Sequence, residues 1–316
     1  MQAGIDSQAG PGAPAKTSLD ARQTSTAPGL RLEMESVSLV YQAGTPFASR
    51  ALNEISLVVE PGERLGIAGP VGSGKSSLLA VLAGMEAAAS GRVLHDGREV
   101  GGKNPPAPGS IGLAFQSPES CLFEKTVYDD VAFSPRRQGL ADGEVRRRVE
   151  EALAATGLDS SRFGHKSPFS LSAGEQRRVA LAGVMAVDPR ALLLDEPTAY
   201  LDPAARRELI ARLVDLNRRT GVTMVMVGHD MQELAAFAER LVIIDGGRKA
   251  AEGAAKTILT DVDLLDTYGL DPPGTVVLSR LLSVATGRDI PAVTGEEEAV
   301  GLLLRLMADG GIMSPP

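Results

Sequence analysis

The chain has 316 residues, enough for one large domain or two modest ones that each bury a core without disulfide or metal staples. Hydrophobic residues at 43% and charged residues at 23% are ordinary for a globular protein, while aromatics at 3% and no tryptophan leave the packing to Leu, Val, Ile and Ala. Forty acidic against 32 basic residues give a net charge of -8, which excludes a global electrostatic attraction to nucleic acid or anionic lipid.

Residues 1–29 are rich in Gly, Ala, Ser, Thr, Pro and Gln, show no periodic apolar face and read as a disordered tail. A single cysteine, Cys121, allows no internal disulfide and is expected to be a packing residue. With no secretory pattern at the N-terminus, the chain reads as a resident of the reducing cytoplasm. Apolar runs such as Ala191 to Leu194, Val222 to Val227 and Leu241 to Ile244 are far below the roughly 18 residues of a membrane span, so any membrane association is expected to be peripheral.

From Leu30 onward apolar residues recur at Leu32, Met34, Val37 and Leu39, then at Ile55, Leu57 and Val59, the pattern of half-buried antiparallel strands. Later short apolar runs alternate with amphipathic helical segments, which predicts a parallel sheet flanked by helices. The expected class is α/β with an antiparallel β part.

Leu65-Gly66-Ile67-Ala68 predicts a buried strand, and a helix is predicted through Ser77-Leu78-Leu79-Ala80-Val81-Leu82. Between them stands Gly69-Pro70-Val71-Gly72-Ser73-Gly74-Lys75-Ser76, a P-loop in its required setting. Its glycines let backbone amides wrap phosphates at a helix N-terminus, Lys75 supplies a point charge and Ser76 a hydroxyl for Mg²⁺. Downstream, Ala191-Leu192-Leu193-Leu194-Asp195-Glu196 is an apolar strand ending in two acids at the carboxyl edge of the same sheet. Asp195 can reach Mg²⁺, and Glu196 can orient and polarise an attacking water.

Between these motifs lies Leu171-Ser172-Ala173-Gly174-Glu175-Gln176-Arg177-Arg178, where Ser172 and Glu175 have capping-box spacing. In this order the motifs resemble the ABC ATPases over residues 31 to about 256. That resemblance implies ATP and Mg²⁺ as ligands, a RecA-like parallel core sheet, an antiparallel β subdomain, an α-helical signature subdomain near 117–185 and a P-loop ATPase domain over 30–256. It makes Leu171 to Glu175 the signature that faces ATP bound by a partner subunit. Tyr41 resembles the aromatic residue that stacks on adenine, Gln116 the loop glutamine that reaches Mg²⁺, and Ser77 completes the phosphate-binding run. His229, just after the apolar strand Thr223 to Val227, matches the switch histidine. Asp202 in Tyr200-Leu201-Asp202 resembles the D-loop aspartate between two ATP sites.

Two positions depart from the family signature: Ala173 replaces the first glycine of a pair, and Glu175 replaces a glutamine. A Cβ at 173 would cost about 1–2 kcal/mol if that position needed a left-handed backbone or a close approach to phosphate.

Val40-Tyr41-Gln42-Ala43-Gly44-Thr45-Pro46-Phe47, Phe115 to Glu124 with Thr126-Val127, and Ser167-Pro168-Phe169 are similar to the ATPases of energy-coupling factor (ECF) transporters. That likeness implies a motor on the cytoplasmic face of the cell membrane, paired with a second ABC ATPase in a homo- or heterodimer. Its membrane partners would be a scaffold (T) subunit and a small substrate-binding (S) subunit for a vitamin or transition-metal ion. Leu122 and Phe123 are expected to form an exposed apolar docking pair for the scaffold. Over 257–316, helices are predicted at Asp261 to Leu265, from Thr275 to Val284 and from near Thr294. For the third, Thr294 and Glu297 are expected to form a capping box, and Val300, Leu303, Leu304 and Met307 one apolar stripe. This segment is expected to be an appendage that stabilises pairing. Alternatives are an importer ATPase that works with a soluble binding protein, and a soluble ABC ATPase of translation or DNA repair. The acidic balance and single ATPase unit oppose the latter.

Overall fold

A computed structural model describes residues 29–115 and 121–308, so the expected tail, save its last residue, and Gln116 lie outside the described residues. Strands β1 (Leu32–Tyr41), β2 (Ser49–Val59), β4 (Ser90–His95) and β5 (Arg98–Val100) form an antiparallel sheet in the order β2-β1-β4-β5. The alternation read from the sequence slips by one residue between Met34 and Val37. There the β1–β2 register also shifts, with Ser36 at φ +47°, so the apolar set stays on one face across a bulge.

The second sheet has the order β10-β9-β3-β8-β7-β6. Its strands are β3 (Arg64–Ala68), β6 (Ile111–Ala114), β7 (Ala191–Asp195), β8 (Thr223–Val227), β9 (Arg240–Asp245) and β10 (Arg248–Ala254). All its pairings are parallel except β9 with β10. Every residue of β7 and β8 is buried because both faces of this sheet are covered. Leu192, Leu194, Met224 and Met226 enter the core under the flanking helices, while Leu193, Val225 and Val227 enter the core shared with the antiparallel sheet. Helix α1 (Lys75–Leu82) lies in that second core and inserts Leu78, Leu79, Val81 and Leu82. The P-loop is thereby wedged between two sheets.

Helices α2 (Val127–Arg137), α3 (Asp142–Ala155), α4 (Ser160–Phe163) and α5 (Ala173–Met185) pack together beside β6. Local chemistry fixes the starts of α2 and α5: the Thr126 hydroxyl accepts from Asp129 N, and Ser172 with Glu175 makes the expected capping box. Helix α6 (Pro203–Thr220) is bounded by Asp202 as cap, Pro203 at its first position and left-handed Gly221 at its end. Helix α7 (Met231–Phe237) follows β8. Four more helices close the described chain: α8 (Ala255–Thr260), α9 (Val262–Thr267), α10 (Gly274–Thr286) and α11 (Glu296–Ala308).

Three expectations are corrected. Cys121 is exposed, because the next residue, Leu122, takes the buried place. Thr294 does not cap the last helix: α11 starts two residues later, and the Thr294 carbonyl instead accepts from Gln232 Nε2 at 3.2 Å and Thr275 Oγ1 at 3.1 Å. Finally, α11 buries Ala299, Leu302 and Leu306, with Leu302 and Leu306 against Ile290. Leu303 is only half-buried, and Val300, Leu304 and Met307 stay exposed, so the predicted stripe lies on the other side of the helix.

Candidate active site

The P-loop leaves β3 and enters α1 through Gly74, whose φ of +102° is closed to residues with a Cβ. A Cβ there would also lie 2.4 Å from the Ala51 carbonyl oxygen. No side chain caps α1, so its first amides remain available to an anion. Within the same loop the Ser73 hydroxyl is buried without a hydrogen-bond partner. Lys75 Nζ donates to the carbonyls of Gly69 at 2.7 Å and Pro70 at 2.8 Å. Burial lowers the Lys75 pKa, against the pull of Glu196 and Asp195. An orphan hydroxyl, free helix amides and a sequestered ammonium together suit a phosphate ligand. Val71 stands fully exposed at the loop tip, beside Gly72, and the Tyr41 hydroxyl lies 3.2 Å from Ser77 Oγ at the start of α1.

Asp195 ends β7 and is buried beside the loop. Burial raises its pKa, while a hydrogen bond from Ser76 opposes the rise. Among the described residues no three His, Cys, Asp or Glu side chains converge on a metal position. The Ser76 hydroxyl and Asp195 carboxylate nevertheless form an oxygen pair suited to Mg²⁺, which keeps waters and phosphate oxygens in the rest of its shell.

Glu196 follows with φ at +49°, and its N–H donates to Val227 O at 3.0 Å. Its Oε1 lies 3.0 Å from His229 Nδ1. Parallel pairing of β7 and β8 brings these residues together, since Asp195 is registered with Val227 and both chains turn outward at the same sheet edge.

Ser172 and Glu175 are closely tied: Glu175 Oε2 accepts from Ser172 N and Oγ, both at 2.9 Å. The bond from Ser172 N–H is the main cause holding the Glu175 pKa below its ordinary value. At the first departing position the backbone is helical. Ala173 is the first residue of α5, exposed and without a positive φ, so no left-handed backbone is required there. Gly174 is the tight position, because a Cβ on it would lie 2.9 Å from Leu201 Cδ2. Leu171, just before the cap, is half-buried against the helical core. Asp202 caps α6 by accepting from Ala204 N and Ala205 N, both at 2.9 Å, and these bonds hold its carboxyl below the usual range.

The expected docking pair is split. Leu122 is 8% exposed and belongs to the helical core, whereas Phe123 is 56% exposed. Phe123 meets Phe133 edge to face with centroids 4.9 Å apart. Neighbouring side chains on an irregular or extended segment point to different sides, which a linear apolar pair cannot reveal.

Sequence reasoning missed two supports of the turn that carries Glu196. Glu233 on α7 accepts from Thr198 Oγ1 and lies 3.4 Å from Arg206, while Arg206 Nε donates to Leu201 O at 2.8 Å. Burial pushes the Glu233 carboxyl up. Arg177, quoted within the signature segment but given no role, is almost fully buried and contacts the backbone of 195–197. A Glu two residues into a capped helix, and an Arg amid apolar helix positions, were the available signals.

A P-loop and an acidic turn recur among many phosphate-binding folds. The capped helix at Ser172, whose Gly174 packs on the Leu201 turn of the same cassette, is the feature that narrows the class to ABC-type ATPases. The comparisons agree. The ABC transporter family profile matches residues 52–199. An energy-coupling factor transporter ATP-binding protein, EcfA2, of Symbiobacterium thermophilum is 43% identical over 277 residues, 87% of this chain and 96% of the relative. An EcfA2 of Streptococcus agalactiae is 39% identical over 267 residues, 83% of this chain and 94% of the relative. Among solved structures, cbiO1 of Clostridium perfringens, part of the ABC transporter complex cbiONQ, superposes with a TM-score of 0.65 at 32% identity, covering 75% of this chain and 93% of its own. The dimeric bacterial ABC transporter cassette MJ0796 gives 0.64 at 28%, covering 71% and 98%. The chain belongs to the ABC transporter ATPases and, among these, to the energy-coupling factor transporter ATP-binding proteins.

Proposed function

We propose that this chain is one of two ATPase subunits that close head to tail on two Mg·ATP and so drive an ECF importer. The approach of His229 Nδ1 to Glu196 Oε1, beside Lys75 and Asp195, carries the reading. Glu196 would orient and polarise the attacking water, with His229 beside it to reach the γ-phosphate. Ser76, Asp195 and Gln116 would hold Mg²⁺, which neutralises charge developing on the phosphates. Tyr41 would stack on adenine, and Gly69 to Ser77 would cradle the phosphates. Leu171 to Glu175 would face the ATP of the partner cassette, and Asp202 would lie between the two sites.

The ATPase domain would span 30–256, with its helical part near 117–185, and 257–316 would be a pairing appendage. Exposed Val277, Leu281 and Val284 on α10, with Val300, Leu304 and Met307 on α11, support that role for the appendage. Among the described residues no helix is long and apolar enough to cross a membrane. The chain's kinship with energy-coupling factor ATP-binding proteins supports a peripheral place on the cytoplasmic face, under a scaffold (T) subunit and a small substrate-binding (S) subunit. Phe123 with Phe133, in place of Leu122 with Phe123, would form the docking surface. Solute selection, for a vitamin or transition-metal ion, would reside in the S subunit.

Purification of a tagged copy from native membranes in mild detergent, with mass spectrometry of what accompanies it, tests the assembly. A second ATPase, a helical scaffold and a small integral-membrane protein are expected. Recovery with ribosomal or DNA-repair proteins and no membrane subunit would refute it.

A further inference from the structure

Arg177 lies five residues beyond Ser172 on α5 and is 1% exposed, the bulkiest of the fully buried side chains among the described residues. A guanidinium is stable in such a place only when its donors are met. Here the fork reaches three consecutive main-chain carbonyls. Nε donates to Pro197 O at 3.0 Å, while Nη2 donates to Glu196 O and, at 3.4 Å, to Asp195 O. The same guanidinium lies 6.0 Å from the ring centroid of Tyr200, whose φ is +65°.

These contacts fall on the turn that carries Glu196. The β7–β8 ladder ends at Asp195 and Val227, so beyond it the turn needs other partners for its backbone. Glu196 sits in the left-handed region, which a residue with a Cβ holds only when its surroundings over-determine it. Val227 O accepts from its N–H, and its carbonyl accepts both from Arg177 and from Ala199 N at 3.2 Å, so the peptide planes on both sides are set. The carboxylate is thereby left 3.0 Å from His229 Nδ1. Helix rigidity keeps Arg177 about 7 Å along the axis from Ser172. A shift of α5 away from the turn by about 1 Å would carry the bonds to Pro197 O and Asp195 O past useful length and weaken the one to Glu196 O.

We propose that Arg177 is a positioning residue that makes the conformation of Glu196 depend on the seat of the signature end of α5 in the same subunit. This rests on the reading of Glu196 as the group that orients water and deepens it. A signature engaged by the partner's ATP holds α5, Arg177 holds the turn, and hydrolysis at the cassette's own P-loop is licensed. The side chain must be Arg, because a lysine ammonium has no planar fork to span three carbonyls.

The test uses the full chain with Arg177→Met and Arg177→Lys, each made alone and with Glu196→Gln, reading kcat, KM, the Kd for Mg·ATP and the melting transition. In the wild-type background both variants should lose at least tenfold in kcat while KM and Kd stay within twofold and a cooperative melt remains. In the Glu196→Gln background the same changes should alter residual turnover by less than twofold, since their route runs through Glu196. Unchanged kcat, equal losses in both backgrounds, or loss of ATP binding in step with kcat would overturn the proposal. So would failure of both variants to fold, which would assign Arg177 to structure alone. Normal turnover in Glu196→Gln by itself would remove the group through which Arg177 acts, and is read separately from that single variant.

Discussion

His229 Nδ1 lies 3.0 Å from Glu196 Oε1 although 33 residues separate them, because Asp195 and Val227 are registered neighbours on parallel strands and each chain turns out of the sheet just beyond. The pair divides binding from chemistry. Glu196→Gln is expected to leave the Kd for ATP within about twofold and to lower kcat by about 10²–10⁴, the usual contribution of a positioned general base. His229→Ala should act on kcat in the same direction. Steady-state hydrolysis with parallel ATP titration measures both, and a purely KM effect from either would contradict the assignment.

Asp195 illustrates a site that opposes the stability of its own fold. Burial raises its pKa above the ordinary 3.8, so over the interval between the two values the folded state holds more protons than the unfolded state. Stability therefore falls as pH rises through that interval, and the full penalty is present at neutral pH. Asp195→Asn should raise stability at pH 7, with the gain shrinking as pH falls toward 3.8, and should abolish Mg²⁺-dependent hydrolysis. Thermal melts across that pH range decide the first part. A lower melting temperature at pH 7 would show that pairing with Ser76 and Lys75 outweighs burial.

Glycine matters unequally in the P-loop and in the Leu171 to Glu175 segment. Gly74→Ala puts a Cβ 2.4 Å from a main-chain oxygen at a φ of +102° and should eliminate ATP binding. Ala173→Gly, at an exposed helical position, should cost about 0.5–1 kcal/mol of stability and change kcat less than threefold. A tenfold gain in kcat from Ala173→Gly would show that the Cβ does blunt the signature.

Leu122 and Phe123 should part company under mutation. Leu122→Ala removes a core side chain and is expected to destabilise by about 2–4 kcal/mol. Phe123→Ala should leave the melting temperature within about 2 °C, preserve basal ATPase activity and uncouple it from transport in the assembled complex. Transport at the wild-type rate would remove Phe123 from the docking surface.

Leu281→Glu and Leu304→Glu place charges on the exposed faces of α10 and α11 without touching Ile290, Leu302 or Leu306. Both should fold normally and shift the ATPase pair toward monomer in light scattering. An unaltered dimer would assign those faces another use.

The order of the motifs decided much in advance. Gly69 to Ser76 between an apolar strand and a helix, the apolar run into Asp195-Glu196, and Ser172 three residues before Glu175 are local patterns whose chemistry depends on neighbours in the chain. Parallel-strand burial was also legible, since β7 and β8 are apolar at nearly every position. Other features depend on distant partners. Whether Leu122 or Phe123 is buried is set by how α2, α3 and α5 pack, and which side of α11 is covered is set by Ile290. The close contact at 174 comes from Leu201, brought alongside from beyond β7. Arg177 reads in the sequence as one more helix cation, and only the folded turn shows three carbonyls waiting at its guanidinium. Sequence determined which groups are present and which local geometry each favours, while tertiary structure decided their partners, because burial and hydrogen-bond satisfaction are properties of the assembled surroundings.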